Sequence, residues 1–312
     1  MNNFQKEIKN EIMATDVFIC VIDETSQKSE IKESIDEAFE LFRVFESRFS
    51  RFLTDNELIS FNKAEGDVKI SDDLAEMIEK SLYFYSLTSG AFDISILPNL
   101  LNEGYNVSKK KGYYKKDSEV FQPSSKITNL ILDKQNKAAK KPEGLKIDLG
   151  GIGKGYAIDK VSDFLGKKYK NFIVNAGGDI YASGRDLKND YPYWAIDIEN
   201  PLEAGELVDV LMISNKGVAT SGVNRRKWLK NGEMKNHIID PETGKSISDD
   251  LLSVTVVANS ATEADALAKS LLIMGVREGV RFCDDRSIAA YFIDKNLKVT
   301  KSSRINKYVW EE

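Results

Sequence analysis

Residues 146–156 read Lys-Ile-Asp-Leu-Gly-Gly-Ile-Gly-Lys-Gly-Tyr, so an aspartate, four glycines and a lysine crowd the passage from an alternating apolar run into an amphipathic segment. Glycine lets a bound group approach the backbone amides, and a helix that starts at such a corner adds partial positive charge in its first turn. That chemistry suits a phosphate or a metal–phosphate complex. It equally suits a tight turn that needs positive φ, and spacing alone leaves both readings open. Two nucleotide motifs are excluded. A Walker A loop needs glycine where the chain has Asp148, and serine or threonine where it has Gly155. The dinucleotide fingerprint G-x-G-x-x-G fails because the glycines fall as G-G-x-G-x-G.

Similar polar turns recur at the ends of apolar elements, at 90–93, 148–155, 175–179, 219–222 and 237–244, and Asp265 adds a carboxylate on a later helix. Turn geometry by itself accounts for Gly-Asp corners. Together, however, these positions offer carboxylates for Mg²⁺, amides for phosphate and one imidazole for proton transfer. That imidazole belongs to His237, the chain's single histidine. A lone histidine serves either structure or catalysis. Its place between Lys230-Asn231-Gly232 and the Asp240-Pro241 turn puts it at a strand end, where active sites gather.

The elements that must position these groups follow from periodicity. Val17–Ile22 reads as a buried strand, and a helix from Ser29 to Phe49 aligns Ile31, Ile35, Ala38, Phe42, Phe45 and Phe49 on one face. Asp55–Leu58 reads as a cap and short helix, and a second long helix over 72–87 turns Leu74, Met77, Ile78, Leu82 and Tyr85 inward. The helix after the glycine corner buries Ala157, Ile158, Val161, Phe164 and Leu165. Further strands are expected near 129–133, 145–149, 172–174, 193–199, 207–214, 252–258, 288–293 and 297–300, with a helix over 261–274 closed by Gly275. Helices and strands mix without regular βαβ alternation, which indicates an α+β fold. No linker or clean boundary divides the 312 residues, which are expected to form one domain.

Composition narrows the function. Apolar residues make up 42% and charged residues 30%, an ordinary globular balance. A net charge of −5 gives a nucleic-acid partner no support. The basic cluster Lys109-Lys110-Lys111 with Lys115-Lys116 reads as a solvated loop. Cys20 and Cys283, distant in sequence and set among apolar residues, read as buried thiols. No run approaches a membrane span, and the N-terminus shows neither a signal h-region nor a lipidated cysteine, so the expectation is a cytoplasmic chain. A chain trimmed of a leader would read the same way, leaving an exported lipoprotein open.

The chain resembles the ApbE family of FAD:protein FMN transferases. The matching segments are Met13-Ala14-Thr15, Ser47–Phe52, Thr88–Asp93, Ile147–Ala157, Asn175–Ile180, Ala219–Gly222, His237–Gly244 and Ala264–Ala268, in family order across about 12–275. The resemblance implies an ApbE-like (T-fold type) α+β architecture of mixed sheets, packed helices and two intimately associated lobes. It implies attack by a threonine or serine hydroxyl of an acceptor flavoprotein on the FMN-side phosphorus of FAD, with AMP leaving. By resemblance, Met13, Phe52, Ala91, Phe92, Asp93, Asp148, Lys154 and Ile247 fall at FAD-contacting positions. The Gly151 backbone and the Asp265 carboxylate fall at Mg²⁺ positions, and His237 matches the histidine of the transfer step.

Three positions depart from the family. Phe52 replaces a common tyrosine, and Gly153 a common alanine. Lys269 stands where the family carries threonine, one helical turn after the metal aspartate. A lysine there either points to solvent or occupies the cation place itself. The leading expectation is Mg²⁺-assisted FMN transfer; an FAD pyrophosphatase and a non-catalytic FAD-binding protein are the alternatives.

Overall fold

A computed structural model describes residues 3–106, 120–224 and 226–311; the lysine cluster at 109–116 lies outside them. The chain opens with a hairpin of β1 (Asn3–Ile12) and β2 (Thr15–Asp23), then α1 (Lys28–Phe49), α2 (Glu57–Lys63), β3 (Gly66–Lys69), α3 (Asp72–Leu87) and α4 (Leu97–Asn102). After β4 (Ile131–Asp133) and β5 (Ala138–Lys141) come α5 (Gly153–Gly166), β6 (Asn171–Ala176), β7 (Asp179–Ser183), β8 (Trp194–Glu199) and β9 (Leu207–Ile213). Strands β10 (Lys216–Gly222), β11 (Lys227–Lys230), β12 (Glu233–Asn236) and β13 (Leu251–Ala258) precede α6 (Ala261–Arg286), β14 (Ala289–Asp294) and β15 (Val299–Lys301).

These elements form two compact units. Unit 1 comprises residues 1–46, 154–222 and 250–312; unit 2 comprises 47–153 and 223–249. The chain therefore passes from one unit to the other four times, which is why no boundary shows in composition. Several of the motif corners fall at these crossings.

Unit 1 is built on an eight-stranded antiparallel sheet ordered β1-β2-β6-β7-β10-β13-β14-β15. The unbroken apolar run of β2 is explained by burial on both faces: Val17, Ile19 and Val21 are buried on one side, while Cys20 and Ile22 join a second core on the other. That second core includes Trp194, Ile196, Leu211 and Ile213 of the β8–β9 ribbon. The α1 stripe from Ile31 to Phe49 is buried as expected, and both cysteines are buried free thiols.

Unit 2 holds the three-stranded sheet β3-β5-β4, helices α2 to α4 and the β11–β12 hairpin. Asn56 caps α2 by accepting the Ile59 N–H at 2.9 Å, and Ser71 caps α3 at Leu74. On α3, Phe84 takes the buried place that periodicity gave to Leu82 and Tyr85, which are half-buried.

Four sequence expectations need correction. Residues 145–149 form no strand, because side chains satisfy the backbone: Asn62 brackets Ile147 with two 2.8 Å bonds, and Ser124 accepts the Lys146 N–H. The 219–222 corner is the end of β10, a central strand. Its Gly217 lies so close to the Ser260 backbone that any side chain would collide. Strands β1, β3, β5 and β7 and the short helix α4 were not anticipated. Gly275 (φ 75°) does close the first segment of α6, yet a second helical segment continues to Arg286. Among the described residues no helix is long and apolar enough to cross a membrane.

Candidate functional site

In unit 1 the chemistry gathers where α5 and α6 begin. Asp159 of α5 accepts the N–H groups of Ala261 (2.8 Å) and Thr262 (3.0 Å) and the Thr262 hydroxyl, so it caps α6. Asp265 of α6 returns the favour at 3.4 Å by accepting the Gly155 N–H in the first turn of α5. The approach depends on Gly155, where a Cβ would stand 2.6 Å from the Ala261 carbonyl oxygen and 2.8 Å from the Thr262 Cα. None of Gly150, Gly151, Gly153 and Gly155 has positive φ, which sets aside the tight-turn reading of this corner.

Two ion pairs complete the region. Lys154 Nζ pairs with Asp179, and Lys269 Nζ lies 3.4 Å from Asp265 Oδ1. Burial pushes the Asp179 carboxyl up to about 6; Lys154 pulls it down while the nearby Asp265 charge pushes it further up. Asp179 follows Gly177 (φ 65°) and Gly178 (φ 96°), where the left-handed conformation does require glycine. Any side chain on Gly177 would strike Thr15, so this corner abuts the β1–β2 turn. That turn consists of Met13 (φ 55°) and Ala14 (φ 57°), two non-glycine residues held in the left-handed region. Strain of this kind, roughly 1 kcal/mol or more per residue, clusters at ligand clamps.

Unit 2 concentrates aromatic rings around one buried charge pair. Arg51 Nε lies 2.7 Å from Asp148 Oδ2, with the two side chains only 8% and 10% exposed. The guanidinium also donates to the Tyr105 carbonyl at 2.8 Å and sits 4.2 Å and 4.6 Å from the Phe52 and Tyr105 ring centroids. Tyr105 stacks on Trp228 (5.4 Å) and meets Phe52 (5.6 Å) and His237 (6.3 Å) edge-on. The hairpin that leads to His237 is pinned near the end of α4: Trp228 Nε1 donates to the Glu103 carbonyl at 2.9 Å, Lys230 reaches Asn102, and Lys235 pairs with Glu103 at 3.3 Å. Asn231 (φ 52°) and Gly232 (φ 83°) make its turn. Beyond it, Asn236 accepts the Ile238 N–H and donates to the Ile247 carbonyl, fixing the backbone on both sides of His237.

Residues 13–292 match the sequence pattern of the ApbE family. This chain belongs to that family. Two relatives show the extent of the likeness. The FAD:protein FMN transferase of Haemophilus influenzae is 28% identical over 98% of this chain and 93% of the relative. That of Vibrio cholerae is 29% identical over 80% and 75%. Among solved structures, the ApbE protein of Thermotoga maritima superposes with a TM-score of 0.86 at 25% identity, covering 99% of this chain and all of that one. The flavin transferase ApbE from Vibrio cholerae gives 0.80, also at 25%, with 99% of both chains covered. The α+β, ApbE-like fold expected from the motifs is therefore the observed one.

Within this ApbE-family chain, the positions singled out by resemblance divide between the units. Met13, Lys154 and Asp265 belong to unit 1; Phe52, Ala91, Phe92, Asp93, Asp148, Gly151, His237 and Ile247 belong to unit 2. The Phe92 side chain is buried against Phe84, so only its backbone is left to meet a ligand. Burial raises the Asp93 carboxyl, which accepts the Ser95 N–H and hydroxyl at 2.7 Å each. Asp179, Arg51, Tyr105 and Trp228 were not singled out. Arg51 and Asp179 sat inside quoted motifs, whereas Tyr105 and Trp228 carry no local signal.

The residues around Asp265 do not fit a divalent cation as arranged. One carboxylate oxygen faces the Lys269 ammonium and the other accepts an amide, and no group of three His, Cys, Asp or Glu side chains converges among the described residues.

Proposed function

We propose that this chain transfers the FMN portion of FAD to a serine or threonine hydroxyl of an acceptor flavoprotein. The carrying observation is His237 set beside the Phe52–Tyr105–Trp228 rings at the end of an anchored hairpin. An imidazole at that place takes the proton of the attacking hydroxyl. The hydroxyl oxygen bonds to the FMN-side phosphorus, the pyrophosphate P–O bond breaks, and its electron pair leaves with AMP. In unit 2 the half-buried Phe52 ring offers an apolar surface to the isoalloxazine; in unit 1 the Lys154 ammonium offers positive charge to a phosphate oxygen. The names of the relatives, FAD:protein FMN transferases, agree with this reading. Mg²⁺, which the resemblance assigns to Gly151 and Asp265, enters none of these steps.

Incubation with FAD and a candidate acceptor, followed by denaturing electrophoresis, should give a fluorescent acceptor band. His237→Ala should weaken it by about 10²- to 10⁴-fold. No covalent flavin from either protein would sink the proposal. AMP released equally with and without acceptor would make the chain an FAD pyrophosphatase, and FAD binding with no AMP a flavin-binding protein.

A further inference from the structure

The disagreement between an expected divalent cation and the residues around Asp265 has a positive content. Lys269 lies one turn after Asp265 on α6, with the acid N-terminal to the base, the favourable order for such a pair on a helix. Its Nζ is 3.4 Å from Asp265 Oδ1, and the two side chains are 19% and 6% exposed, so water screens the pair weakly. Oδ2 of the same carboxylate takes the Gly155 N–H at the start of α5. Lys154 is paired with Asp179 in the same region, and the Asp179 carboxyl feels the charges of Asp265 and Lys269. Two carboxylates and two ammoniums sum to zero. A divalent ion entering here would sit among cations that already neutralise the acids, whereas an ammonium needs no coordination sphere.

We infer that the Lys269 ammonium is the resident cation of this site. It holds Asp265 in place and meets pyrophosphate charge itself, so this chain binds FAD and transfers FMN without a divalent metal. The role in transfer rests on the function proposed above; the exclusion of metal does not.

The test separates the two. Mn²⁺ is titrated into the FAD-free full chain and the free-ion electron paramagnetic resonance signal is followed. Wild type should bind no stoichiometric Mn²⁺. Lys269→Thr should gain one site, tighter by about two orders of magnitude, because a unit charge within several ångströms of a divalent ion is removed. Adding Asp265→Asn to that variant should abolish the site. Lys269→Gln, which keeps most of the length and loses the charge, serves if the threonine variant does not fold. In parallel, AMP release in EDTA should persist in wild type and become metal-dependent in Lys269→Thr. A wild-type Mn²⁺ site removed by Asp265→Asn, AMP release abolished by EDTA, or neutral variants that gain no site would each overturn the inference. If no protein releases AMP under any condition, the transfer reading falls while the Mn²⁺ titration still decides the fate of Lys269.

Discussion

The two units hold buried charge in opposite ways. In unit 2 the Arg51–Asp148 pair sets its guanidinium against the Phe52 and Tyr105 rings. Unit 1 gathers four charges, Lys154, Asp179, Asp265 and Lys269, at the start of α5 and leaves them hydrogen-bonded to one another and to a helix amide. The first arrangement builds a rigid platform, since the guanidinium is held by the Asp148 carboxylate and the Tyr105 carbonyl and lies against two rings. The second builds an adjustable field: a polyanion can draw Lys154 or Lys269 from its aspartate at modest cost, because each lysine is a flexible point charge.

The difference breaks most visibly at Arg51. Arg51→Met leaves Asp148 charged and buried, which should destabilise the protein by about 3–5 kcal/mol. Hydrogen exchange should show the loss concentrated in residues 47–106, 120–153 and 226–249. Arg51→Lys keeps the charge but loses the fork that reaches both the Asp148 carboxylate and the Tyr105 carbonyl, so it should recover only part of the loss. Full recovery by lysine would mean the pair is a plain ion pair and the platform reading is wrong.

Gly155 probes the other unit. A Cβ there meets backbone on the α6 side, at 2.6 Å and 2.8 Å, and neither atom belongs to a side chain that can turn away. Gly155→Ala should therefore cost about 3 kcal/mol, the upper range for overpacking. Gly153→Ala is the control: its Cβ would lie an ordinary 3.7 Å from the Leu149 Cβ, at a φ that alanine tolerates, and denaturant midpoints should barely move. If both variants are equally tolerated, α5 and α6 slide apart easily and the mutual capping by Asp159 and Asp265 is decorative.

How much of this was legible in the chain depended on whether the relevant contact was local. The helices α1 and α3 announced themselves because six and five apolar residues recur at helical spacing, and the Asn231-Gly232 turn because its dihedrals suit asparagine and glycine. The glycine corner was legible as a corner but not in its cause. Gly155 is present for a helix more than a hundred residues downstream, and no local feature says so. Residues 145–149 alternate as a strand does, yet strand or loop is settled by who bonds the backbone, and here Asn62 and Ser124 intervene. The aromatic platform was invisible for the same reason. Tyr105 and Trp228 meet across a wide sequence separation and each alone reads as an ordinary residue in a polar stretch, while the motif that holds Arg51 says nothing of its partners.

The finest probe of the contrast is pH. Burial lifts the Asp179 carboxyl to about 6 in the folded chain, against 3.8 for an ordinary aspartate. Between those values the folded state binds more protons than the unfolded state, so the slope of unfolding free energy against pH is negative for this group. Its contribution is full below about pH 4 and lost as pH rises through 6, opposite to a carboxylate whose folded value is depressed. One group cannot exceed about 1.4 kcal/mol per pH unit, and partial protonation makes the effect smaller. Urea denaturation of wild type and Asp179→Asn at steps from pH 4 to 7 should show wild type losing stability relative to the variant as pH rises through 6. The Arg51→Met background should leave most of that difference in place, because the charges acting most strongly on Asp179 are those of Lys154, Asp265 and Lys269. Parallel wild-type and variant curves would mean that Lys154 holds Asp179 ionised throughout. The unit 1 charges would then be as locked as the pair in unit 2, and the contrast between a rigid platform and a movable field would fail.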